Sequence, residues 1–184
     1  MVKNRYRFAS LAFALSLASL TVLASDPMVG GSPMSPKKDI IDNAVNSADH
    51  TTLVAAVKAA GLVETLKGAG PFTVFAPTNA AFQKLPAGTV DTLLKPESKA
   101  TLTKVLTYHV VPGRLSAGQI GSMITKGGGK ATLKTVSGGM LIASMDGKTI
   151  VLTDEKGGMS RVTIGDVFQS NGVIHVVDTV LLPN

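Results

Sequence analysis

The sequence predicts an α+β domain, with helices in its first half and an antiparallel meander in its second. Three observations carry that expectation. Apolar residues follow helical spacing between Asp39 and Tyr108, two-residue alternation takes over from Leu133 to Leu182, and glycine pairs divide the alternating runs. Segregation of the two periods argues against a doubly wound sheet, in which strands and helices would alternate.

The first 24 residues stand apart from that fold. Lys3, Arg5 and Arg7 precede an apolar run from Phe8 to Leu23 that closes on small residues, the layout of a secretory signal peptide cut after Ala24. About 16 apolar residues fall short of the ~20 that cross a bilayer, so no stable membrane insertion is expected after cleavage. Residues 25–36 hold three prolines and two glycines, which read as a flexible leader. The domain is then expected over residues 37–184.

Within it, Ile40, Ile41, Ala44 and Val45 share one side of a helix from Asp39 to Ala48. Asp49 is placed to cap a second helix carrying Leu53, Val54, Val57 and Ala60, which Gly61 stops in the left-handed region. Leu62 to Leu66 adds a further turn. The β-branched and aromatic content of Phe72–Phe75 predicts a buried strand that ends at Pro77, after which the Thr78 hydroxyl can cap a short helix containing Ala80, Ala81 and Phe82. Thr89–Leu94 and Pro96–Tyr108 read as helices, with Pro96 in a first turn. His109 falls on the apolar face of the second.

Strands are expected at Leu133–Val136, Met140–Ala143, Thr149–Leu152, Arg161–Ile164 and Val173–Leu182, with Asp146-Gly147 as a hairpin turn. The early strand at Phe72 must join this sheet from a distance, next to the C-terminal strand. His175 alternates with Val173 and Val177 in a run that is apolar on both faces, which fits a strand covered on two sides.

Composition excludes several functions. Loss of residues 1–24 removes three basic groups and lowers the formal net charge from +6 to +3, and the remaining lysines are scattered with almost no interleaved aromatics, so no nucleic-acid partner is expected. Zero cysteines rule out a disulfide framework and a thiol nucleophile. Stability must come from one apolar core, and a chain of this size can bury roughly 70% of its unfolded surface.

The search for chemistry is equally negative. His50, His109 and His175 lack metal-ligand spacing, the Lys126–Lys130 run departs from a phosphate loop at Ile124 and Ala131, and no nucleophile elbow or paired carboxylates occur. No catalytic residue, cofactor or metal is expected.

Three separated runs carry a family resemblance: TVFAPTNAAF at Thr73–Phe82, YHVVPG at Tyr108–Gly113, and NGVIHVVDTVLLP at Asn171–Pro183. In this order they resemble the fasciclin domain, over about Ile40 to Pro183. The resemblance implies a wedge of antiparallel β-strands with N-terminal helices packed against it, a single-domain module for cell adhesion or extracellular matrix binding. Its place would be the periplasm, the cell surface or the medium, and its partner a protein or a cell-surface or matrix component. It also implies contact residues: Tyr108, His109 and Val110 match a Tyr-His segment linked to adhesion, and Asp166-Val167 resembles an Asp-Ile pair with the same association. A framework role competes at both places, with Tyr108 and His109 hydrogen-bonded at a helix end and Asp166 capping a turn while Val167 and Phe168 fill the core. The alternative function is a carrier or sensor of a small apolar ligand, which the seven methionines allow.

Overall fold

The structure, a computed structural model, describes residues 26–184. The expected signal peptide and its cleavage site lie outside the described residues. The leader is not a free tether. Met28–Val29 (β1) and Ser32–Pro33 (β2) pair as an antiparallel hairpin, and Val29 and Met34 are buried in the core. Its turn also leans on the domain, since a Cβ on Gly30 would stand 2.3 Å from Ser47 Oγ. Buried Val29 and Met34, together with hydrogen bonds from the Ala48 N–H to the Gly30 carbonyl and from the Ser32 hydroxyl to the Asn46 carbonyl, hold residues 28–34 on the domain, which corrects the flexible reading there.

The helical half follows its sequence signals closely. Asp39 caps Ile40–Ala44 (α1) by accepting from the Asp42 N–H, and Thr51–Ala60 (α2) stops at Gly61, whose φ is 72°. The cap expected from Asp49 does not form; a 3₁₀ turn over Ala48–His50 runs straight into α2 instead. Val63–Lys67 (α3) leads to Phe72–Pro77 (β3), and the Thr78 hydroxyl caps Asn79–Gln83 (α4) by accepting from the Ala81 N–H. Thr89–Leu93 (α5), a 3₁₀ turn with Pro96 in its first position, and Lys99–Tyr108 (α6) complete the half.

Past Val110–Pro112 (β4), the division into halves breaks at Ala117–Lys126 (α7), a helix the sequence reading did not place. The signal was present: Ser116 and Gln119 form a reciprocal capping box at its start. The meander follows as Lys130–Lys134 (β5), Met140–Asp146 (β6), Thr149–Thr153 (β7), Met159–Gln169 (β8) and Gly172–Val177 (β9).

These seven strands form one curled sheet in the order β4-β3-β9-β8-β7-β6-β5. The early strand does lie beside the C-terminal one, but the pair is parallel, with Phe72 opposite Gly172 and Pro77 opposite Val177. A parallel neighbour needs a long crossover, and the whole chain from α4 to β8 supplies it. All other neighbours are antiparallel.

Strand β9 is buried at all six residues and separates two apolar clusters. Ile174 and Val176 face the first, built with the hairpin and α1 to α6; Val177 belongs to the second, built from α7, Tyr108 and the inner faces of β5 to β7.

Candidate functional site

Tyr108 ends α6 and has no exposed surface. Its hydroxyl donates to the Met140 carbonyl at 2.7 Å and accepts from the Glu155 N–H at 3.1 Å. Gly139 makes room for the ring, since a Cβ there would stand 2.7 Å from Tyr108 Cε2. Burial pushes the hydroxyl pKa up to about 12; the Glu155 N–H opposes this, and the nearby Glu155 and Asp154 carboxylates add to it.

His109 is equally committed. Nδ1 lies 2.8 Å from the Val105 carbonyl and Nε2 lies 3.0 Å from the Leu181 amide nitrogen. A carbonyl can only accept and an amide N–H can only donate, so the ring is neutral with its proton on Nδ1. Complete burial pushes its pKa down to about 4. The imidazole thereby ties α6 to the C-terminal segment.

Asp166 sits in β8 at φ 58°, in the left-handed region that Asp tolerates better than most side chains. Its Oδ1 accepts from the Ala117 N–H at 2.7 Å and so caps the first turn of α7. Its own N–H donates to His175 Nδ1 at 3.3 Å, while His175 Nε2 donates to the Leu115 carbonyl at 2.8 Å. Burial lowers the His175 pKa, and the Phe75 ring stacks on it with centroids 5.6 Å apart.

Four of the five expected contact residues are therefore interior: Tyr108, His109, Val110 and Val167 are buried, and Asp166 is half-buried and engaged. Side chains that face inward cannot touch a macromolecular partner, so the framework role replaces direct contact at these positions. The fold does bring His109, Val110 and Val167 to the wall of one interior cavity, which Tyr108 and Asp166 do not reach.

The residues that sequence reasoning missed lie beside the motif. Ile164 and Phe168 flank Asp166-Val167 and are 36% and 40% exposed, which corrects the expectation that Phe168 fills the core with Val167. They stand where register shifts on either side of Ile164 bulge β8 against β9. Bulges re-aim side chains in this way. Alternation alone could not reveal it, because each bulge resets which side a residue faces.

Among the described residues no group of three His, Asp or Glu side chains could hold a metal ion, and no helix is long and apolar enough to cross a membrane.

A seven-stranded curled mixed sheet with helices preceding it defines the class of domain. A solved fasciclin domain pair from the insect cell adhesion molecule Fasciclin I has the same fold, with a TM-score of 0.71, 18% identity, and coverage of 80% of this chain and 51% of that one. The fasciclin domain profile matches residues 48–183, and the chain belongs to the fasciclin domain family. It is similar to Protein sll1483 of Synechocystis, 43% identical over 171 residues covering 92% of this chain and 87% of that protein. It is also similar to cell surface glycolipoprotein MPB83 of Mycobacterium bovis, 32% identical over 165 residues covering 90% and 64%.

Proposed function

We propose that this chain is an exported, noncatalytic adhesion-type module that holds a protein or a cell-surface or matrix component through the bulged segment of β8. The observation that carries the reading is the exposure of Ile164 and Phe168 around a half-buried Asp166 held in the left-handed region. Strain of this kind persists where surrounding contacts fix it, here the cap on α7 and the bond to His175. The result is a rigid apolar pair on a strand, and rigid side chains lose little entropy when a partner covers them. Similarity to a cell surface glycolipoprotein and to an insect adhesion molecule's fold agrees with this class of function. Tyr108, His109, Val110 and Val167 then serve the surface by bracing the body beneath it.

Crosslinking capture on intact cells tests the reading. The double variant Ile164→Ser, Phe168→Ser is expected to keep its melting temperature and to reduce capture of the wild-type partner at least tenfold, as loss of an apolar anchor does. Equal capture by wild type and by the folded double variant would overturn it.

A further inference from the structure

Polar side chains inside the first cluster are paired, with one exception. His50 closes the 3₁₀ turn before α2 and is only 3% exposed. Its Nδ1 lies 2.8 Å from Ser47 Oγ, but Nε2 has no hydrogen-bond partner, alone among buried side-chain nitrogens and oxygens of the described residues. Ser47 Oγ makes no other hydrogen bond, so its hydroxyl donates to Nδ1 and the ring proton sits on Nε2. A buried donor left open is costly, and it needs an explanation.

The surroundings provide one. His50 lines a cavity of about 50 Å³ between the β1–β2 hairpin, α1 to α3 and the sheet, with walls that include Met34, Ile41, Val57, Val167 and Ile174. Of its other polar linings, both nitrogens of His109 are bonded, Ser47 is bonded to His50 itself, and Lys58 is an exposed residue. The Ala76 carbonyl favours a proton on His50, yet its geometry makes no hydrogen bond. A trapped water needs two to four polar partners, and this site offers one open donor. The space takes about four water-sized spheres, which corresponds to a compact organic molecule of roughly six non-hydrogen atoms.

We infer that this cavity binds a small, largely apolar molecule carrying one carbonyl oxygen, which accepts from the Nε2–H of His50. A carbonyl satisfies the open donor and brings no donor of its own that the apolar walls would leave unpaired. A carboxylate is disfavoured because the walls around His50 are apolar and the one cation of the lining, Lys58, is an exposed residue. Val29 and Met34 close one wall from the β1–β2 hairpin, while the lining reaches the surface at half-exposed Ala44, Val54 and Val63 and at exposed Lys58, the side from which the molecule enters.

Paired probes of one shape test this, cyclohexanone against methylenecyclohexane, titrated into the full exported chain and followed by methyl and imidazole nitrogen NMR. Both should shift the Val57 and Ile174 methyl resonances; cyclohexanone should bind roughly fivefold to tenfold more tightly and alone move the His50 Nε2 resonance, the size of one neutral hydrogen bond. In His50→Phe the preference should vanish while methylenecyclohexane binding persists. The wild-type imidazole signal decides the matter even if that variant does not fold. Absence of methyl shifts at the solubility limit, or equal affinities with an unmoved His50 resonance, would overturn the assignment.

Discussion

The two clusters on either side of β9 are closed to different degrees. Around α7, Ile120, Leu141, Ala143, Leu152 and Leu181 have no exposed surface, and the Tyr108 hydroxyl is used both as donor and as acceptor. Around α1 to α3 the packing leaves a cavity, and His50 keeps an open nitrogen beside it. The difference follows from the elements available. The second cluster is closed by an α-helix laid over a continuous meander, while the first is closed by several short helices and a hairpin, whose ends cannot all meet side chain to side chain. His109 stands between them, lining the cavity while holding Leu181 of the tighter side.

The largest test of this contrast is truncation. Leu152→Ala should cost about 4–5 kcal/mol, the upper part of the range for a site that cannot collapse, whereas Leu53→Ala beside the cavity should cost about 2–3 kcal/mol. Urea unfolding measures both, and equal costs would break the contrast.

Acid should act on the histidines that join the two clusters. Above pH 6.5 folded and unfolded His109 are both neutral; below it the unfolded state takes up a proton that the folded state refuses until about pH 4, so stability falls across that window. The loss from His109 alone amounts to about 3 kcal/mol. His50 and His175, also lowered by burial, add to it in the same direction. Asp39, Glu155 and Asp178, whose folded pKa values are lowered, contribute stability that is lost only further down, in the carboxylate range. Denaturant melts between pH 7 and 4 on wild type and His109→Gln should show a shallower decline in the variant.

The smallest effect sharpens the comparison through hydroxyl and imidazole. Tyr108→Phe leaves the Met140 carbonyl and Glu155 N–H without their partner and should cost about 2 kcal/mol, while His50→Phe deletes an open donor along with one hydrogen bond and should cost under about 1 kcal/mol. Thermal denaturation of the two variants separates these values, and a larger loss in His50→Phe would mean that its nitrogen is not open.

Much of this was legible in the residues. The cap at Thr78 and the stop at Gly61 are local, and each formed where short-range chemistry placed it, whereas the hairpin turn expected at Asp146-Gly147 falls one residue later, at Gly147-Lys148. The capping box that starts α7 was equally local and went unread between two glycine-bearing turns. Contact sites were harder. The family resemblance offered Tyr108 and His109 as contact residues, but their hydrogen bonds reach Met140 and Leu181, partners 32 and 72 residues away.

By itself, then, the sequence determined most of the element types between Asp39 and Leu182, the absence of disulfides and the family, because caps, turn residues and apolar periods act over a few positions. Only the tertiary structure decided that β3 runs parallel to β9, that residues 28–34 pack as a hairpin, that the Tyr-His segment faces inward, and that His50 opens onto a cavity. Those features depend on which distant side chains fill a given space. Local pattern carries no information about that until the chain has closed.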